Sequence, residues 1–262
     1  MSGRDRQARG PGRRPPPSKP SAPRHGLARV ISKFGVASRT QAARWIEAGR
    51  VAVDGRIVRD PERPTDAARE RIAVDGAPIE ARGRIYLMLN KPRGYVTTAS
   101  DERGRDTVYA LLEGAGLPWL APVGRLDRAS EGLLLFSNDS VWAAAITAPE
   151  THLDKTYHVQ IDRLPDADLL AALQAGVDDR GERLAAKSVR ELRRGERHAW
   201  LEIVLDEGRN RQLRRMLYVL DVAVIRLVRV AIGGLTLGAL AKGAWRELTV
   251  DEVARLSPSS LA

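Results

Sequence analysis

Between Met1 and Leu27 the chain carries no aliphatic side chain larger than alanine, proline aside. A stretch of that kind removes too little apolar surface from water to offset the entropy of ordering its backbone. Residues 1–24 also hold six prolines, seven basic side chains (Arg4, Arg6, Arg9, Arg13, Arg14, Lys19, Arg24) and one acid, Asp5. They are expected to form a disordered basic tail, so the fold must be built downstream. The tail supplies six of the ten surplus positive charges of the chain. A solubilising leader and a salt-sensitive grip on phosphate account for it equally well.

The 262 residues leave room for two domains. A net charge of +10 suits a phosphate-rich partner, and an anionic membrane surface would satisfy the same excess. No run approaches the roughly 18 apolar residues of a transmembrane helix, and the basic N-terminus lacks the apolar core of a secretory leader. With no cysteine, disulfide frameworks, thiolate nucleophiles and zinc fingers are excluded. A cytoplasmic location fits this composition.

From Leu27 the pattern changes. Leu27, Val30, Ile31 and Phe34 share one face of a helix that Gly35 ends. Ser38 followed by Gln41 opens a second helix as a capping box, with Ala42, Trp45 and Ile46 inward and Gly49 as its stop. "VAVDGRIV" and "IAVDGAPI" then alternate about Asp-Gly pairs, which favour type I′ hairpin turns because both residues tolerate positive φ. Arg29, Lys33, Arg39, Arg44 and Arg50 line the outward positions of this small module. They form either a solvated basic face or a surface for RNA. The arrangement resembles the S4-like RNA-binding module, which favours RNA.

A second domain is expected from about Arg84. "RIYLMLNKP" reads as a strand ending in a turn, and "GLLLFSND" as a strand running into a capped helix. "KTYHVQI" and "HAWLEIVL" alternate as further strands. Helices are expected over 166–175 and 210–220, with a last one opening near Asp251. The predicted class is α+β, with domains at 25–83 and 84–256 and a short tail over 257–262.

Several chemistries lack their spacing. The chain has no G-x-x-x-x-G-K-[ST] phosphate loop, no G-x-S-x-G elbow and no H-E-x-x-H pair. Asp127 and Glu131 are four apart, as a carboxylate pair on a helix would be. Gly124, Ser130 and Gly132 make that stretch a poor helix, so a loop is expected and a glycosidase reading is weak. In "EGRNRQLRRMLYVL" the buried stripe is Leu213, Met216, Leu217 and Leu220, with Arg211 and Arg215 opposite it. Arg214 falls on the flank, where it can reach a half-buried partner.

"YLMLNKPRGYVTT", "GRLDRASEGLLLFSND", "KTYHV", "EGRNRQLRRM" and "GAWRELT" follow one another in the order found in ribosomal RNA pseudouridine synthases. Over residues 27–256 the chain resembles the RsuA/RluB group of that family. The resemblance implies a catalytic domain on a mixed, mainly antiparallel sheet flanked by helices. It implies a reaction that detaches uracil from ribose at N1, turns the base and rejoins it through C5, with no cofactor and no metal.

The resemblance assigns the catalytic carboxylate to Asp127, which either attacks the sugar or assists departure of the base. In a pocket that excludes water, an ionised carboxylate needs an opposite charge. Arg214 is the candidate, with Arg209 or Arg211 as substitutes. Tyr157 matches the family's active-site tyrosine, Leu227 is an apolar wall, and Arg125 is the residue expected to enter the space left by an extruded uridine. The expected partner is ribosomal RNA, of the large subunit by the look of "RNRQLRR", bound by a monomer. A non-catalytic ribosome-assembly factor that retains the fold is the competing reading.

Overall fold

The computed structural model describes residues 25–99 and 101–257. The tail expected over 1–24 and all but the first residue of the one expected at 257–262 lie outside them. The chain opens with β1 (His25–Gly26), α1 (Leu27–Lys33) and α2 (Arg39–Glu47), then β2 (Val51–Val53) and β3 (Arg56–Val58). β4 (Pro64–Thr65) returns to pair with β1, and β5 (Ile72–Val74) and β6 (Ala77–Pro78) complete a four-stranded sheet of order β3-β2-β5-β6. Leu27, Val30, Ile31, Ala42, Ile46, Val51 and Ile72 close one small core. Asp54–Gly55 and Asp75–Gly76 all adopt positive φ, as the hairpin signals require. Ser38 supplies the hydroxyl half of the expected box, its Oγ accepting from the Gln41 amide at 3.0 Å.

The larger unit contains β7 (Tyr86–Lys91), β8 (Ala121–Val123), β9 (Glu131–Ser137), α3 (Ser140–Thr147), β10 (Lys155–Ile161) and α4 (Ala167–Ala175). It continues through β11 (Val177–Asp179), β12 (Glu182–Leu184), β13 (Ser188–Arg194), β14 (Ala199–Leu205) and α5 (Gln212–Val219). β15 (Val224–Ile232), β16 (Leu235–Thr236), β17 (Trp245–Glu247) and α6 (Val250–Arg255) end it. Nine strands form one mixed sheet of order β13-β14-β10-β15-β9-β7-β17, with β8 beside β9 and β16 beside β15. Only the β9–β15 pairing in this sheet is parallel. α4 and α5 cover one face of the β13-β14-β10 half, burying Leu169, Leu173, Leu213, Met216 and Leu217 against Val159, Leu201 and Ile203. No helix of the described residues is long and apolar enough to cross a membrane.

Two features of the sheet create a cleft. All seven residues of β9 are buried, and one edge of the strand is shared between two partners. Glu131 and Gly132 pair with β15, whereas Leu135, Phe136 and Ser137 pair with β8. The chain leaving β8 therefore loops out between the strands. Gly132 permits the β9–β15 junction, because its φ is 101° and a Cβ there would lie 2.2 Å from the Arg229 carbonyl oxygen.

α5 begins at Gln212, two residues later than its periodicity predicts. Arg211 takes a left-handed conformation at φ 49°, and the Gln212 amide turns back to the Arg209 carbonyl. Arg211 is thus rotated out of the helical pattern and into the cleft.

Candidate active site

The loop from Gly124 to Ser130, the end of α3, β10, the 207–214 turn and β15 enclose a cavity of about 520 Å³. Arg125, Asp127, Tyr157, Arg209, Arg211, Arg214 and Leu227 all line it. Residues up to about one hundred apart in sequence are thus brought together. Leu126 is buried between Arg125 and Asp127, so its two neighbours both point the other way, toward the cavity. Arg125 is exposed and makes no ion pair among the described residues.

The carboxylate of Asp127 meets the Arg211 guanidinium at 3.5 Å. Arg214, the first candidate for this pairing, instead donates to the Ala129 carbonyl at 3.1 Å and holds the loop rather than the acid. The left-handed backbone at Arg211, which helical periodicity does not register, accounts for the exchange. Burial pushes the Arg214 guanidinium below its ordinary value, the neighbouring Arg211 adds to this, and Asp127 opposes it. Arg209 is committed elsewhere, to Glu182, Glu207 and the Arg183 carbonyl. Asp127 keeps 32% of its side-chain exposure. The site is therefore an open cleft, not the water-excluding pocket expected from sequence.

Three cations of the site are absent from the sequence-based candidates. Lys91 is fully buried, and its ammonium uses all three donors on the carbonyls of Pro92, Asp127 and Ser130 at 3.1, 3.1 and 2.8 Å. Burial lowers its pKa to about 8, against the pull of Asp127 and Glu131. Arg229, 6% exposed, donates from Nε to the Leu133 carbonyl, and Lys155 is half-buried beside it. Strand parity offered a signal for each: Lys91 alternates with Leu87 and Leu89, Lys155 with Tyr157, and Arg229 with Leu227.

Glu131 does not join Asp127. It opens β9, where Arg226 and Lys242 bind its carboxylate at 3.0 and 2.6 Å. Burial alone would raise its pKa, but these two ion pairs outweigh it and hold the group below its ordinary value. A carboxylate so neutralised is no partner for glycoside hydrolysis, whose second group faces the same sugar.

The RNA pseudouridylate synthase family profile matches residues 85–218, and an S4 domain profile matches residues 26–66. The chain belongs to the RNA pseudouridylate synthase family. Among its relatives, a ribosomal large subunit pseudouridine synthase B of Bacillus subtilis is 35% identical over 88% of this chain and 94% of its own length. An uncharacterized RNA pseudouridine synthase of Aquifex aeolicus is 35% identical over 87% of the chain and 92% of its own. The crystal structure of a pseudouridylate synthase superposes with a TM-score of 0.62 at 29% identity, covering 88% of this chain and 99% of that one.

The synthase thus pairs an N-terminal S4 domain with the α+β catalytic fold, and isomerises uridine to pseudouridine in RNA. Of its S4-domain candidates, Arg29, Arg39, Arg44 and Arg50 are exposed, and Lys33 is half-buried with Nζ 3.1 Å from His25. Arg50 pairs with Asp75 and lies over the Trp45 ring.

Proposed function

We propose that the synthase acts on ribosomal RNA of the large subunit, with Asp127 as its catalytic carboxylate. The observation that carries this reading is the convergence of Asp127, Arg211 and Tyr157 on one cavity wide enough for a nucleoside. Residues 25–83 bind RNA, and residues 84–256 perform the isomerisation. The enzyme works as a cytoplasmic monomer.

The N1–C1′ bond of a uridine breaks as positive charge develops on the ribose, and the Asp127 carboxylate meets that charge by attack or by electrostatic assistance. The Arg211 guanidinium, 3.5 Å from that carboxylate, balances its charge. Arg214 and Lys91 fix the backbone that carries the acid. Uracil turns against the Tyr157 ring and the Leu227 wall, and bonds to C1′ through C5. The proton lost from C5 passes to water and one returns from water to N1, so the product is an isomer of the substrate, with the Tyr157 hydroxyl taking part in proton movement at the sugar.

A uridine reaches this acid only when it is swung out of its helix. Arg125, exposed and lining the cavity, fills the vacated stack and meets the flanking phosphates in this reading. RNA seated over the cleft closes the side from which water now reaches Asp127, strengthening the local electrostatics.

The substrate is tested by incubating the purified protein with unmodified large-subunit and small-subunit rRNA and mapping pseudouridine by carbodiimide-blocked primer extension. A stop confined to large-subunit rRNA is expected. A stop confined to small-subunit rRNA, or none in either, refutes the assignment.

A further inference from the structure

The half-sheet β13-β14-β10-β15 is antiparallel throughout. α4 and α5 cover only one of its faces. Alternate side chains occupy the other. His158, Trp200, Glu202 and Val228 all remain partly exposed there, whereas Val159, Leu201 and Ile203 of the opposite parity are completely buried. Trp200 thus lies partly exposed on the face opposite α4 and α5.

Its surroundings identify the kind of partner. The Arg193 guanidinium lies 4.7 Å from the Trp200 ring centre and that of Arg226 5.5 Å from it. Beside the ring, His158, Leu192, Arg193 and Val228 complete a hollow of about 330 Å³. Arg190 is bound to Glu202 at 2.6 Å, and His158 shares the same carboxylate. The cations Arg190, Arg193, Arg226 and Lys242 outnumber the carboxylates Glu202 and Glu131, and Arg193 has no carboxylate partner among the described residues. An aromatic ring flanked by guanidinium groups on an open antiparallel sheet suits unpaired nucleotides, because every base offers a π-face and every linkage a phosphate.

We propose that this face is a second RNA-binding surface, on which an unpaired segment of the substrate lays a base into the hollow beside Trp200 while Arg193 and Arg190 meet its phosphates. It lies across the sheet from the cleft. Tyr157 and Leu227 face the cavity, and their neighbours His158 and Val228 face the hollow. RNA reaching both sides would wrap the edge strands, so the surface lengthens the footprint without adding to the chemistry. The proposal rests on RNA being the polymer this synthase engages.

The test uses full-length protein and fluorescently labelled single-stranded poly(U). Trp200→Ala is expected to weaken binding about tenfold, within the range found for losing one base–aromatic stack, and Trp200→Phe to retain most of the affinity. Bromouridine-substituted poly(U) should photocrosslink to the peptide containing Trp200. Equal affinity of all three proteins, or crosslinks confined to the cleft, overturns the proposal. So does a change of sedimentation in Trp200→Ala, which would mark the face as an interface between copies. Pseudouridine formation by the unsubstituted protein is scored in parallel. Activity on rRNA without a Trp200 effect refutes this surface alone, whereas a Trp200 effect without activity on rRNA refutes the substrate proposed above and leaves the surface.

Discussion

The ammonium of Lys91 and the backbone carbonyl of Asp127 are joined by a 3.1 Å hydrogen bond, and the same carbonyl accepts from the Ser130 amide at 3.0 Å. A buried cation thus holds the turn that presents the acid, acting on position rather than on substrate. Lys91→Met removes three donors and leaves their carbonyls under-satisfied. It is expected to lower stability by about 1–3 kcal/mol and kcat by about tenfold, with KM nearly unchanged. Chemical denaturation and single-turnover kinetics check the two parts.

The same lysine makes stability depend on pH. Its folded pKa is about 8, below the ordinary 10.5 of a free lysine. Between those values the unfolded chain binds the extra proton, so stability rises with pH across that window and is flat with respect to this group below it. Burial depresses Lys155 in the same sense. Denaturation of the unsubstituted protein should therefore move to higher denaturant between about pH 8 and 10.5. Lys91→Met should show a smaller rise over the same interval.

Gly132 is the point where β9 and β15 touch. An added methyl meets the Arg229 carbonyl oxygen at 2.2 Å, at a φ of 101° that side-chain-bearing residues rarely adopt. Gly132→Ala is expected to cost about 3 kcal/mol or more, read as a drop in melting temperature or in soluble yield. Gly76→Ala, at a φ of 80° but with nothing within 4 Å of the added carbon, carries the backbone strain without the clash and should lose less.

The local devices of this fold were legible before the structure. Asp54–Gly55 and Asp75–Gly76 turn as their φ tolerance dictates, and α3 has the side-chain cap its sequence announces, supplied by Asp139 to the Val141 and Trp142 amides. Tyr157 and Leu227 are marked by the family resemblance and not by strand parity. The parallel pairing of β9 with β15 was not legible. It joins residues almost a hundred apart, and no local preference encodes it. For the same reason the cleft emerged only in three dimensions, and the strand parity of Lys91 and Arg229 could mark them as inward-facing without saying what they hold. Arg211 was misplaced on the outside of a helix because its left-handed backbone has no helical period.

The exposed arginines of the S4 domain have a separate signature. Arg39→Ala combined with Arg44→Ala is expected to weaken rRNA binding at every sequence. It should also reduce the slope of log K against log salt by about one to two, because each phosphate contact releases counterions. Turnover at saturating RNA should hold. Fluorescence anisotropy across a salt series measures the slope.

Arg211 and Arg214 are distinguishable by coupling. Arg211→Ala should reduce kcat about tenfold or more through loss of the charge beside Asp127, and should change stability little further once Asp127 is already Asn. Arg214→Ala should couple to Asp127→Asn on stability more weakly than Arg211→Ala does, since its hydrogen bond goes to the Ala129 carbonyl and the acid feels only its charge. A double-mutant cycle on denaturation midpoints separates the two.

The most direct measurement is the single-turnover rate of pseudouridine formation in rRNA by Asp127→Asn, an isosteric change that removes the charge and preserves the fold. If Asp127 carries the chemistry, the variant binds RNA as the unsubstituted enzyme does and forms no detectable pseudouridine. Pseudouridine appearing at the same site at a comparable rate would contradict the assignment.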